Sequence, residues 1–192
     1  MRLFLAFELD DAARSAVSGV ARELAGRLAK AGEPRGVRWV ERENLHVTLR
    51  FLGEVADSRA AALQDALSAL IAAPRFEMEL GGGGCFPPAG LPRVAWIGVT
   101  RGADGAREAF GAIDERLAPL GFPRETRSYT PHVTLGRVRD VGRRSARDLR
   151  AWLAAVPSPL ASMAVRDAVL YLSHLSPGGS RYEIVCRTPL GS

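Results

Sequence analysis

"LHVTLRF", residues 45–51, and "PHVTLGR", residues 131–137, share the tetrapeptide His-Val-Thr-Leu letter for letter. The chain holds three histidines, and two of them, His46 and His132, stand in these copies. Valine and threonine favour strands, and on a strand successive side chains point to opposite faces. His46 and Thr48 therefore share one face while Val47 and Leu49 share the other, and His132 and Thr134 are set apart from Val133 and Leu135 in the same way. One face of each strand is core and the other is chemical.

The flanks repeat as well. Residues 3–9 read as a buried strand, and Asp10 or Asp11 caps a helix whose apolar positions Ala13, Val17, Val20, Leu24 and Leu28 recur at three and four up to about Gly32. "GVRWVERENLHVTLRFLG" reads as strands over about 36–41 and 45–52 divided by a polar turn. Asp57 caps a second helix running through Ile71, and "RFEMEL" alternates as a half-buried strand should. The glycine-rich "GGGGCFPPAGLP" lacks the lysine and the helix that a phosphate loop needs, so it reads as a flexible connection between two halves. Beyond it come a strand over 93–99, a helix from about Asp104 to Leu120 closed by Gly121, the second motif strand and a helix near 145–155. Strands over 163–172 and 181–187 complete the chain. Each half runs strand, helix, motif strand, which points to an internal duplication.

If the halves pack about a pseudo-twofold axis, His46 with Thr48 faces His132 with Thr134 across a groove. Two imidazoles and two hydroxyls suit in-line displacement at phosphorus. One neutral ring takes a proton from the attacking group, one protonated ring gives a proton to the leaving oxygen, and the hydroxyls hold the non-bridging oxygens. Acid and base each contribute on the order of 10² to 10⁴-fold, enough for a strained cyclic phosphodiester without a metal or other cofactor. A zinc site needs a third and usually a fourth ligand, and no Asp, Glu or Cys stands at a short spacing from either motif. His174, in "YLSHLSPGG", reads as a surface residue.

With 192 residues and 47% hydrophobic content, the chain has enough apolar matter for one domain or two closely packed lobes. The formal charge is +5, and all but one of the 26 basic residues are arginine, Lys30 being the exception. The guanidinium fork suits phosphate, although a GC-rich genome produces the same bias and charge alone assigns no partner. Cys85 and Cys186 lie far apart, suggesting neither a zinc knuckle nor a disulfide framework and fitting a reduced cytoplasm. "MRLFLAFELDD" is too short an apolar run for a signal-peptide core or a membrane span.

The opening "MRLFLAFEL", the block "GVRWVERENLHVTLRFLGEV", "PLGFPRETRSYTPHVTLGRV" and the closing "LYLSHLSPGGSRYEIVCRTPL" together resemble the bacterial and archaeal RNA 2′,3′-cyclic phosphodiesterases, also called 2′-5′ RNA ligases, of the 2H phosphoesterase superfamily. The resemblance spans essentially residues 1–192 and implies one bilobal α+β catalytic domain, with two antiparallel sheets, helices packed outside and an active groove between the lobes. It further implies that His46 is the proton donor and His132 the proton acceptor, that RNA ends carrying a 2′,3′-cyclic phosphate, tRNA fragments among them, are opened to a 2′-phosphomonoester, and that 2′-5′ ligation is the reverse reaction. No obligate protein partner is evident.

Further contacts rest on the residues themselves. Arg50 lies two positions beyond Thr48 and shares its face if the strand stays regular, whereas the matching second-half position is Gly136. Arg127, Tyr129 and Arg137 flank the second motif as candidates for phosphate or base contact. Trp39 reads as core. Two rival readings keep part of this picture: the same site acting on a small cyclic nucleotide or ADP-ribose cyclic phosphate, and a module that binds or ligates RNA ends.

Overall fold

A computed structural model describes residues 1–176 and 179–191, so that Pro177 and Gly178 of the closing block lie outside it. Strand β1 (Arg2–Glu8) leads to helix α1 (Asp11–Lys30), β2 (Val37–Trp39), a 3-10 turn (Arg42–Asn44) and β3 (His46–Glu54). Then come α2 (Asp57–Ser68), β4 (Ile71–Pro74), β5 (Phe76–Phe86), β6 (Val94–Arg101), α3 (Ala103–Leu117) and β7 (His132–Val138). Helix α4 (Arg143–Ala154) and strands β8 (Ala161–Val165), β9 (Asp167–Ser176) and β10 (Gly179–Gly191) finish the fold.

Local chemistry accounts for the element ends. Asp10 caps α1 by accepting the Ala13 N–H at 2.8 Å, and α1 buries Ala13, Val17, Ala21, Leu24 and Leu28 on one stripe. Gly121, at φ 79°, takes the left-handed turn that ends the 3-10 extension of α3. Asp57 is the first helical residue of α2 rather than its cap, a place held by Ala56, and α2 stops at Ser68 so that Ile71 opens a strand.

The strands lie in the order β4-β10-β9-β1-β3-β7-β6-β5-β8, with β2 on the free side of β7. Pairing is antiparallel except between β4 and β10. The centre of this path is one residue pair, Val47 with Val133. The ten-stranded sheet therefore narrows there to one pair and falls into two sheets, antiparallel but for β4, each offering its motif strand at the junction. Helices tie the halves together by crossing over: α1, which leaves the first sheet, packs on β7 and β8 of the second, while α3, which leaves the second, packs on β3 and β4 of the first. All this covers one face, where a single core includes Val47, Leu49, Val133 and Leu135, each no more than 4% exposed. The opposite face carries a small cluster of Phe4, Ala6, Val169 and Tyr171.

The four glycines are not a connection. Gly81 to Gly84 continue β5, paired with β6 from Gly81↔Gly98 to Gly84↔Trp96, and Gly82, at φ 56°, is the extra residue of a bulge. At the other three a side chain has no room. A Cβ on Gly81 would stand 2.8 Å from Ser158 Cα, one on Gly83 2.9 Å from the Trp96 carbonyl, and one on Gly84 2.5 Å from the Trp96 ring. Close backbone approach, not flexibility, selects glycine.

Gly81→Ala is expected to destabilise the fold by roughly 1–3 kcal/mol, because the obstructing atoms are backbone. Gly26→Ala, in mid-helix with nothing within 4 Å of the added methyl, should stabilise by roughly 0.5–1 kcal/mol. Urea melts of the two variants check the contrast; equal effects would return the glycine run to the status of a linker.

Candidate active site

The two motif strands share an irregularity that decides which side chains face the groove. In β3, Ala6 pairs with Thr48 but Leu5 pairs with Arg50, so Leu49 is skipped. In β7, Trp96 pairs with Thr134 but Ala95 pairs with Gly136, so Leu135 is skipped. A bulge after each threonine reverses the alternation of the residues beyond it. Position 50 and its counterpart 136 turn inward, and Phe51 and its counterpart Arg137 turn to the groove.

Antiparallel register through Val47↔Val133 sets His46 across from Thr134 and Thr48 across from His132. The ladder extends no further, and the strands diverge into a groove of about 350 Å³ whose lining includes His46, Thr48, Thr134, Arg137, Phe4 and Tyr182. His132 lies beside it on the same face. Both rings are fixed in the same way: His46 Nδ1 is 2.7 Å from the Asn44 carbonyl, and His132 Nδ1 is 2.8 Å from the Thr130 carbonyl. A carbonyl only accepts, so each Nδ1 carries a proton and each Nε2 is left for a ligand. The Asn44 side chain also donates to the Ser180 carbonyl at 2.6 Å, which pins β10 over the groove floor.

Aromatic rings flank each histidine. Phe4 lies 5.0 Å and Tyr182 5.5 Å from His46, centroid to centroid, while Phe86 lies 5.1 Å and Trp96 6.3 Å from His132. Burial among these rings pushes His46 down to about 4, with the Asn44 carbonyl opposing and the charge of His132 adding to the fall. His132 is lowered by burial too, against the opposing pull of the Thr130 carbonyl.

The remaining candidates separate. Arg50 does not share the face of Thr48. The bulge sends it inward, where Nε stands 3.1 Å from Asp114 Oδ1, an ion pair poorly angled for a hydrogen bond, and Nη1 stands 3.2 Å from Glu125, with Nη2 on the Pro123 carbonyl. Arg127 points away to solvent and pairs with Glu125 at 2.8 Å. Tyr129 is half-buried, stacked on Phe110 at 4.6 Å, and its hydroxyl donates to the Thr48 carbonyl at 3.0 Å. Burial pushes its phenol well up, so it stays a donor. Arg50 and Tyr129 thus bind the first motif strand to the loop that leads into the second. Arg137 alone of the four opens on the groove.

His174 pairs with Glu183 at 3.1 Å on the exposed hairpin. Among the described residues no group of three or more His, Cys, Asp or Glu is placed to hold a metal ion, and no helix is long and apolar enough to cross a membrane. Trp39 packs partly on the core. Phe4, Phe51 and Tyr182 belong to the groove without a motif to mark them; only the alternation of β1 bears on Phe4, and nothing local signals the other two.

The depressed pKa of His46 has a stability consequence. Between its ordinary value of 6.5 and about 4 the unfolded chain binds the proton and the folded chain does not, so stability complete above 6.5 is lost as pH falls toward 4, by roughly 3 kcal/mol for this residue. Urea midpoints of the wild type should therefore drop more steeply from pH 7 to 4 than those of His46→Asn. Parallel slopes would mean that the ring is not desolvated.

Residues 13–96 and 97–182 each match the family of LigT-like phosphoesterases, one motif falling in each match. The chain is 38% identical to the RNA 2′,3′-cyclic phosphodiesterase of Archaeoglobus fulgidus over 95% of its own length and 97% of the relative's. It is 32% identical to that of Methanocaldococcus jannaschii, over 96% and 98%. Among solved structures, Escherichia coli LigT in apo form superposes with a TM-score of 0.72 at 28% identity, covering 100% of this chain and 98% of that one, and LigT complexed with 3′-AMP gives 0.71 at 27% over the same shares. On these matches, which run through both motifs and both lobes, the chain belongs to the LigT-like phosphoesterase family.

Proposed function

We propose that the protein hydrolyses RNA 2′,3′-cyclic phosphate ends to 2′-phosphomonoesters, the two lobes working as one catalytic unit over residues 1–192. The observation that carries this reading is the pair of motif histidines, each held by a backbone carbonyl at Nδ1 so that Nε2 is free on a shared face. The relatives' names supply the substrate class.

Water attacks phosphorus in line with the departing 3′ oxygen. His132 Nε2 takes the water's proton, the P–O3′ bond breaks, and His46 Nε2 gives its proton to O3′, leaving the phosphate on O2′. Thr48 and Thr134 donate to the non-bridging oxygens as charge builds there, and Arg137 adds a guanidinium from the groove wall. In the free protein, burial keeps both rings mainly neutral near pH 7, yet the acid must start protonated. The anionic phosphodiester resolves this: an anion beside a buried imidazole favours the charged form, so His46 gains its proton with the substrate. With an RNA 5′ hydroxyl in place of water as the attacking group, the same geometry makes a 2′-5′ linkage as O3′ departs, and run backwards, with O3′ expelling the 5′ hydroxyl, it breaks that linkage to the cyclic phosphate. Repair or trimming of broken tRNA ends in the cytoplasm is the setting that fits this chemistry.

Activity is expected to survive exhaustive chelation, since the histidines move the protons; turnover lost with EDTA and restored by zinc or manganese would overturn the mechanism. Thr48→Val and Thr134→Val keep the β-branched shape and should each lower turnover by roughly 10-fold or more with little change in melting temperature. Instability without loss of activity in the folded fraction would make the threonines structural. His46→Ala and His132→Ala should each cost roughly 10² to 10⁴-fold, and the double variant little more, because the pair acts as a unit. A cyclic substrate with sulfur at the 3′ leaving position needs no acid, so it should rescue His46→Ala far more than His132→Ala. Rescue of His132→Ala instead would exchange the two roles.

A further inference from the structure

The segments that lead into the two motif strands cross over, each fastening the strand that carries the other motif. Strand β2, which precedes His46, lies on β7: Trp39 pairs with Gly136, and the Val40 N–H donates at 2.8 Å to the carbonyl of Leu135, the residue that the β7 bulge skips. The loop that precedes His132 lies against β3, whose ladder with β7 ends at Val47↔Val133. Side chains make the connection there. Arg50, turned inward by the β3 bulge, stands 3.2 Å from Glu125 and donates to the Pro123 carbonyl. The Tyr129 hydroxyl donates at 3.0 Å to the carbonyl of Thr48, the last residue before that bulge. A bulge breaks the local ladder and lets the strand bend, so its open side needs a partner. The phenol hydroxyl gives β3 what a backbone amide gives β7.

The donor has little freedom. Its ring lies at 4.6 Å and 9° on Phe110 of α3, and the loop that carries it is tied to the same helix a second time, by the Glu125 N–H donating to Asp114 at 3.0 Å. Burial keeps the phenol protonated, and the hydroxyl is committed to a backbone oxygen and not to the groove. Yet both ends of this tie stand at working groups. The residue after Tyr129 supplies the Thr130 carbonyl that fixes His132 Nδ1 at 2.8 Å. The acceptor belongs to Thr48, whose side chain lines the groove and lies across from His132 in the register through Val47↔Val133.

We propose that Tyr129 is a positioning residue: by holding the Thr48 carbonyl, its hydroxyl sets the Thr48 side chain at a fixed distance from His132 while charge builds on the phosphate, so that its loss slows the chemical step more than it weakens binding. This rests on the proposed hydrolysis of cyclic phosphate ends and adds the group outside the groove that keeps the two motifs in register. A displacement of about 1 Å at a contact made in the transition state costs up to about 10²-fold, so one well-placed hydrogen bond behind Thr48 is enough to be read in the rate.

Tyr129→Phe keeps the ring and its stack on Phe110 and removes only the hydroxyl. On a short oligoribonucleotide ending in 2′,3′-cyclic phosphate, kcat should fall about tenfold, the upper worth of one neutral hydrogen bond, while KM stays within about twofold of the wild type. Both limbs of the pH profile should stay in place, since no proton carrier has changed. The decisive comparison is a double-mutant cycle with Thr48→Val, which has no hydroxyl left to position. There Tyr129→Phe should cost less than about twofold further. A full tenfold loss in that background would show that Tyr129 acts elsewhere, and a lower melting temperature with kcat of the folded fraction unchanged would make it a structural tie alone; either result overturns the proposal. Should the wild type open no cyclic end, the same question is read without substrate, in protein labelled at its threonine methyls. The Thr48 methyl signal should broaden by microsecond-to-millisecond exchange in Tyr129→Phe. Broadening would then uphold the positioning and sink the hydrolysis reading, whereas a sharp signal at its wild-type position would sink both.

Discussion

Everything at the site depends on one contact between two strands, Val47 against Val133. Both side chains are wholly buried, so the pairing is held from below by the core and not by the groove residues it carries. Period-two alternation then lifts the histidine and threonine of each motif to the other face together. A longer ladder would close the sheets and fill the space between the motifs. A missing one would leave the two histidines on lobes free to drift. A single pair, with α1 and α3 each packed under the opposite sheet, gives a rigid junction and an open groove at once.

The same burial sets the chemistry of the rings. Phe4 and Tyr182 strip water from His46, which disfavours its charged form and makes its state sensitive to any anion that arrives. An exposed imidazole would hold its proton more readily without substrate, but its response to a phosphate would be weakened by solvent screening. The backbone carbonyls of Asn44 and Thr130 answer the second difficulty of a buried histidine, which is that either nitrogen can carry the proton. Each motif supplies its own carbonyl two residues upstream, so the tautomer is specified locally in both copies.

The duplicated tetrapeptide reveals the strands, their faces and the placing of His46, His132, Thr48 and Thr134 on one of them, because those follow from composition and period alone. The bulges do not show. Nothing in "LRF" or "LGR" marks Leu49 or Leu135 as a skipped residue, since a bulge reflects what the neighbouring strand demands, and regular alternation therefore places Arg50 on the wrong face. Four glycines resemble a hinge for a related reason. The backbone atoms and the Trp96 ring that crowd Gly81, Gly83 and Gly84 come from residues 96, 153, 157 and 158, which no local window contains. Tyr129 stands out for its place beside the motif, but its partner, the Thr48 carbonyl, lies on the other motif strand.

The bulges also explain how a duplicated fold comes to have an asymmetric site. Duplication hands each half the same strand and the same irregularity, and symmetry would give two equal walls. The residues that the bulges turn outward differ: Phe51, against the Phe4 ring at 5.9 Å, on one side and Arg137 on the other. Their inward counterparts differ as well. Arg50 is paired with Asp114 and Glu125, whereas position 136 admits only glycine, since a Cβ there would stand 2.7 Å from Val37 on β2. Only the second motif strand has that extra neighbour, and β2 is what brings Arg38 opposite Arg137. The first motif strand therefore turns a ring to the groove and the second a guanidinium, while the histidines and threonines between them keep the equivalence they inherited.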